Sequence, residues 1–179
     1  MTSDGVAGWE QVGEDRPVYA GYTRVVRRRM RQADGRESDW DLVESPDSVV
    51  VLALTPARQV VAIRQFRPGP DRVMPSLPGG LIDEGESVLD AAARELLEET
   101  GYVGERWDVV TRTTPYKSTE SRWVTVAHDC LRSAPQSLDE HEDIAVCLLS
   151  LAQLRDELRS GGFGTTDQAY LALDHLGLL

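Results

Sequence analysis

The chain has 179 residues and a formal net charge of −11, with 41% hydrophobic and 27% charged residues, the make-up of one globular domain of ordinary size with a core of its own. So acidic a chain is excluded from generic nucleic-acid binding, which needs lysine and arginine to neutralise phosphates; a phosphorylated ligand would have to be met through cations. The longest apolar run, VVVLAL at 49–54, is too short to cross a bilayer, and the opening MTSDGVAGWEQVGEDRP lacks the basic start and apolar run of a signal peptide, so a cytoplasmic protein with no membrane partner is expected.

Residues 1–16 are polar and read as loose. A strand is expected from Val18 to about Gln32, and the Asp34-Gly35 pair turns it into a second strand over Glu37–Glu44. RVVRRRMR at 24–31 is the one basic cluster. It fits either a solvated charged strand face or a surface for an anionic ligand or an acidic partner subunit. Pro46-Asp47 leads into SVVVLALT, whose unbroken aliphatic run reads as a buried strand, and VVAIRQFR at 60–67 reads as the next. A turn-rich loop, PGPDRVMPSLPGGLIDEGE, spans 68–86. A helix follows over 88–100, with Ser87 as its cap, Asp90 completing a capping-box pattern, Gly101 ending it, and Leu89, Ala92, Ala93 and Leu96 facing the core. Strands near 107–113, 121–131 and 143–150 and helices near 151–160 and 166–176 complete the chain. Cys130 and Cys147, each alone in an apolar context, read as buried free thiols on strands. The class is α+β, a mixed and mostly antiparallel sheet with helices packed on it.

The helix carries an unusual density of charge. Glu95, Glu98 and Glu99 fall within an arc of roughly 100°, on the side away from the apolar stripe, and like charges three or four apart each destabilise a helix by about 0.2–0.5 kcal/mol. Asp83, Glu84 and Glu86 lie just before it, and Arg94 is the only basic residue between Gly79 and Gly101. Carboxylates without histidine or cysteine suit Mg²⁺ or Mn²⁺, and Mg²⁺ is typically held by one or two carboxylates together with substrate phosphates. The Gly79-Gly80 pair would let backbone carbonyls approach such an ion.

Gly80, five residues, Glu86, seven residues, Arg94-Glu95-Leu96, one residue, Glu98-Glu99, one residue, Gly101-Tyr102 resembles the Nudix box, GX5EX7REUXEEXGU, at every fixed position; Tyr102 stands where an aliphatic residue is usual. The resemblance implies an α/β/α sandwich and hydrolysis of a nucleoside diphosphate linked to another group. It implies Glu95, Glu98 and Glu99 and the carbonyl of Gly79 as the metal site, with Glu98 close to the catalytic ions, and Glu86 and Arg94 as the pair bracing loop against helix. RQFRPG at 64–69, STESR at 118–122 and DEHEDIAV at 139–146 are similar to segments of ADP-ribose pyrophosphatases and related nucleotide-sugar hydrolases. By that likeness Arg67 contacts substrate phosphate, and the general base is Glu140, then Glu142, then Glu120 in order of preference, with His141 below them. His128 and His175 read as structural. Trp40 lies where related enzymes stack an adenine, often across a dimer interface. The resemblance therefore implies a homodimer joined through a strand region at 1–45, with the hydrolase domain at 46–179. It implies Mg²⁺, or Mn²⁺, as cofactor and a small nucleotide as the only other partner. Another nucleotide sugar such as GDP-mannose, a nucleoside triphosphate, or a non-catalytic nucleotide-sensing role are the alternatives; the further upstream pattern of coenzyme A hydrolases is absent.

Overall fold

The computed structural model describes residues 7–179. The chain divides into two compact units, one comprising the N-terminal strands to Pro46 with residues 114–121, the other residues 47–113 and 122–179.

The first unit is a four-stranded antiparallel sheet of β1 (Glu10–Gln11), β2 (Arg16–Ala20), β3 (Arg24–Arg31) and β4 (Glu37–Glu44). Two expectations are corrected here. The part of 1–16 that is described contains β1 and enters β2, paired to β3 (residues 1–6 lie outside the described residues), and the single strand over 18–32 is broken at 21–23 into β2 and β3. Gly21 and its polar neighbours supply that turn, whose Gly21 N–H donates to Thr23 O. The register explains the basic cluster. Arg24, Arg27, Arg29 and Arg31 stand opposite Glu44, Asp41, Asp39 and Glu37, and each is ion-paired with its opposite number at 3.3, 2.7, 2.9 and 2.7 Å; Arg28 pairs with Asp15 at 2.6 Å. Cross-strand pairing of opposite charges favours this register while adding little stability per exposed pair, so the cluster is a charged face neutralised within the chain. Residues 117–119 lie along β4 through hydrogen bonds between Val43 and the backbone of Lys117 and Thr119.

The second unit is built on a seven-stranded sheet ordered β10 (Arg106–Thr113), β11 (Arg122–His128), β5 (Ser48–Leu54), β6 (Val60–Arg67) and β13 (Ile144–Leu149), with β7 (Arg72–Ser76) on β6 and β8 (Gly79–Leu81) on β5. Only β5 and β11 run parallel. Helix α1 (Val88–Thr100) covers one face over Val49, Val51, Ala53 and Val61; α2 (Leu151–Ser160) and α3 (Thr166–His175) cover the other over Val50, Leu52, Val60 and Ala62. Alternation along β5 and β6 sends successive apolar residues to opposite cores, which is why these strands read as unbroken hydrophobic runs. The result is the expected α/β/α sandwich. A short pair, β9 (Tyr102–Val103) and β12 (Leu131–Arg132), follows α1.

The loop expected over 68–86 instead contains β7 and β8. β5 and β6 pair only at 53–54 with 60–61; beyond that they diverge, β8 lies along the start of β5 and β7 along the end of β6. Their Pro and Gly content hides them, yet backbone groups near so apolar a sheet must be paired. Cys130 is buried but lies past the end of β11, and Cys147, on β13, is only half-buried; both are free. Burial pushes the Cys130 thiol up to about 12.

Candidate active site

α1 starts and stops where its caps dictate. Ser87 Oγ accepts from Asp90 N–H at 3.2 Å, and Gly101, at φ 74°, donates its N–H to Leu97 O. The capping box is only half made, because the Asp90 carboxylate accepts from the Ser87 hydroxyl at 2.7 Å, not from its backbone. The core-facing stripe is also rotated from the expected one: Ala91, Ala92, Leu96, Glu99 and Thr100 are buried, whereas Leu89 and Ala93 are exposed. Glu99 therefore does not lie on the side away from the core. It is 3% exposed, at the rim of the apolar layer.

Two glycines bring the preceding strand onto the helix carboxylates. At φ 151°, Gly79 packs so closely that a Cβ would lie 2.1 Å from Val49 O, and its N–H donates to Glu99 Oε2 at 2.8 Å. A Cβ on Gly80 would lie 2.4 Å from Glu95 Oε1, so Gly80 leaves the room that this carboxylate occupies.

Arg94 is the hub. Its Nε and Nη2 donate to the two oxygens of Glu86, both at 2.9 Å, Nη2 also donates to Leu81 O at 3.0 Å, and Nη1 donates to Glu95 at 2.7 Å and Glu98 at 3.2 Å. Glu86 accepts in addition from Asp83 N–H at 3.1 Å. A planar guanidinium with five donors suits such a multiple brace, which a lysine could not reproduce. The fork on Glu86 raises the Arg94 pKa further above its ordinary value and holds Glu86 below the usual carboxylate range.

Burial works the other way on Glu99 and Glu95. It pushes the Glu99 carboxyl up to about 8, against the stabilising Gly79 N–H, with the charges of Glu95 and Glu142 adding to the rise. It also raises Glu95, against the bond from Arg94. Glu142 is thus close enough to bear electrostatically on both, and Arg67, at the end of β6, bears on Glu99 with opposite sign. Glu142 is half-buried and accepts from Asp139 N–H at 3.1 Å; Glu140 and His141 beside it are exposed. Gln136, which sequence reasoning missed, ties this loop to the helix end: its amide donates to Glu99 O at 2.6 Å and Ile144 O at 3.0 Å. A polar residue between Pro135 and Ser137 carries no local signal of that role. Glu120 and Trp40 belong to the other unit. Trp40 is 41% exposed, packs at 5.6 Å from the Trp9 ring, and donates its indole N–H to Ser38 Oγ. His128 and His175 both bond Asp108, at 2.8 and 3.4 Å, in keeping with structural roles.

Among the described residues no three acidic, histidine or cysteine side chains are gathered as a ready coordination sphere; Arg94 holds Glu95 and Glu98, and the Gly79 amide holds Glu99. The donor set nevertheless fits a hard divalent cation: oxygen ligands only, a space at Gly80 kept for a carboxylate, and buried acids whose raised pKa values a bound cation would reverse.

A NUDIX domain matches residues 44–168. An uncharacterised Nudix hydrolase of Schizosaccharomyces pombe is 32% identical over 160 residues, covering 79% of this chain and 77% of that protein. The chain belongs to the Nudix family and is a Nudix hydrolase. Within the family it is similar to the ADP-ribose pyrophosphatase of Bacillus subtilis, at 31% identity over 121 residues, 66% of this chain and 65% of that one. The crystal structure of an ADP compounds hydrolase shares the fold, with a TM-score of 0.80 over 99% of this chain and 100% of that one at 21% identity.

Proposed function

We propose that the protein hydrolyses the pyrophosphate bond of ADP-ribose, or of a related nucleoside diphosphate sugar, to AMP and ribose 5-phosphate, with Mg²⁺ (Mn²⁺ as substitute) held by Glu95, Glu98, Glu99 and the Gly79 carbonyl. The observation that carries this reading is the carboxylate cluster of α1, with Glu99 buried and Glu95 and Glu98 partly so, braced by Arg94 and Glu86 and under the charge of Arg67. The similarity to the Bacillus subtilis ADP-ribose pyrophosphatase supports the substrate class.

Bound divalent cations would offset charge on the diphosphate oxygens and lower the pKa of an attacking water. The chain's own residues do the rest. Arg67 binds a phosphate oxygen with its fork and orients the diphosphate along the helix. Glu142 accepts the proton of the attacking water as the water oxygen bonds to phosphorus and the bridging P–O bond breaks; its closeness to Glu95 and Glu99 supports it over the exposed Glu140. Arg94 and Glu86 keep loop and helix in register throughout. The N-terminal sheet, with Trp40 and Trp9 half-exposed, serves as the dimer surface and brings an aromatic ring to the base; the protein works as a homodimer in the cytoplasm.

A product assay tests the reading: ADP-ribose, GDP-mannose, UDP-glucose, coenzyme A and nucleoside triphosphates with Mg²⁺. Release of AMP and ribose 5-phosphate with ADP-ribose preferred is the expected result. Preference for GDP-mannose would keep the mechanism and change the substrate; turnover of none of them would overturn the reading.

A further inference from the structure

Gln65 lies near the end of β6, and its Oε1 is the one buried side-chain nitrogen or oxygen among the described residues that has no hydrogen-bond partner. Buried polar atoms nearly always have one, and an amide oxygen left without a donor costs stability. Its neighbours give the amide no reason to be there. Gln65 stands opposite Met74 on β7 and Ile144 on β13, so both flanks are apolar, and a leucine or methionine would pack between them with no polar atom to satisfy. An amide kept against that background is suited to a partner from outside the chain.

Alternation along β6 puts Gln65 on the face of Val61, the face that α1 covers, together with Arg67 two residues further on. Ile144, its partner on β13, is buried, and the Ile144 carbonyl accepts from the Gln136 amide at 3.0 Å, the same amide that donates to Glu99 O at 2.6 Å. Glu142 comes two residues before Ile144. Its Oε2 accepts from Asp139 N–H, and its other oxygen makes no hydrogen bond among the described residues. The register thus sets Gln65 one strand repeat inward of Arg67, beside the segment that delivers Glu142. Two residues along a strand span about 6.7 Å. A water donating one O–H to each of two oxygens bridges about 4.5 Å. One water therefore suffices to join an amide and a carboxylate whose backbones lie a strand repeat apart.

We infer that Gln65 positions the attacking water: its carbonyl accepts one O–H of that water while Glu142 accepts the other, which aims an oxygen lone pair at phosphorus. As the new O–P bond forms and the bridging P–O bond breaks, the proton on the Glu142 side passes to that carboxylate. The electron pair of the broken bond leaves with the bridging oxygen. The proton held by Gln65 stays on the former water oxygen, now part of the product phosphate. An amide suits this role because it accepts a hydrogen bond without taking the proton, whereas another carboxylate would add charge beside Glu95 and Glu99. The inference rests on the proposed pyrophosphatase reading with Glu142 as base, and adds the group that orients what the base deprotonates.

Gln65→Met, which keeps the length of the side chain and removes the acceptor, tests it alone and combined with Glu142→Gln; Gln65→Leu repeats the comparison with a second apolar side chain. Three measurements are compared with wild type: thermal melts in a chelator, steady-state kinetics on ADP-ribose with Mg²⁺, and calorimetric binding of a methylene-bridged ADP-ribose analogue that cannot be hydrolysed. The apolar variants should melt no lower than wild type, because carbon replaces an unsatisfied amide. Their kcat should fall about 10- to 100-fold. KM and analogue binding should stay within about twofold. In the double variant the two losses should not multiply, since each removes one hold on the same water. An unchanged kcat in the folded variants would overturn the inference. So would a loss confined to KM and analogue binding, the mark of a substrate contact, or losses that multiply in the double variant. Failure of both apolar variants to fold would also overturn it, by showing that the amide serves the packing. Failure of the parent reading is distinguishable, because wild type would then turn over no nucleoside diphosphate sugar.

Discussion

Glu99 offers the sharpest test of how the site is built. With its carboxyl pushed to about 8 against an ordinary 4.5, the ionised form costs of the order of 4–5 kcal/mol in the cation-free protein, at about 1.36 kcal/mol per tenfold change in the protonation constant. Glu99→Gln keeps the shape and the acceptor for the Gly79 N–H at 2.8 Å while removing the charge. The sign follows from linkage. A carboxyl raised on folding contributes its full stability below the unfolded value, and that contribution is lost as pH rises through the folded one. Wild type and variant should therefore melt alike near pH 4 in the presence of a chelator, diverge between about 4.5 and 8, and differ by a constant amount above that. Relaxation of the neighbouring acids returns part of the cost, so we expect roughly 2–4 kcal/mol, or about 5–15 °C of Tm at pH 9, in favour of the variant. Mg²⁺ should raise the wild-type Tm and close the gap, releasing a proton near pH 7 that calorimetry in buffers of different ionisation enthalpy detects. The same variant should lose turnover by orders of magnitude. A variant no more stable than wild type at pH 9, or a gap that is the same at pH 4 and pH 9, would refute the claim that the fold holds a buried charge in readiness for a cation.

Arg94→Ala should lower stability by about 3 kcal/mol, because it removes the guanidinium donors of Glu86, Glu95 and Leu81 O at once, leaving Glu86 only the Asp83 N–H, and Arg94→Lys should recover little of it in a denaturant melt. Glu142→Gln should reduce kcat by about 10²–10⁴, whereas Glu140→Gln should change kcat by less than about threefold; the reverse order in a side-by-side assay would move the base to Glu140. Removing residues 1–45 should convert dimer to monomer by light scattering and raise KM; a truncated dimer with unchanged KM would detach the N-terminal strands from the site.

What the sequence determined by itself is what local pattern encodes. The span of α1 follows from Ser87, a helical run of good formers and Gly101 at φ 74°, all read within 15 residues. The spacing of Gly80, Glu86, Arg94, Glu95, Glu98 and Glu99 specifies the chemistry because loop and helix are contiguous, and a turn of about 100° per residue fixes which carboxylates share a side. The apolar runs at 48–54 and 60–67 likewise declare strands covered on both faces. Tertiary structure decided the rest. Whether Glu99 faces water or the core turns on a rotation of α1 against β5, and only packing sets that. Glu142 approaches Glu95 and Glu99 because Gln136 ties a loop some 40 residues away to the helix end, a non-local contact without a sequence signature. β7 and β8 exist because β5 and β6 diverge and leave edges to be paired, which overrides the turn propensity of their prolines and glycines. The basic run of β3 is neutralised only once a hairpin register sets each arginine opposite an acid, since charge along a chain says nothing of charge across a sheet.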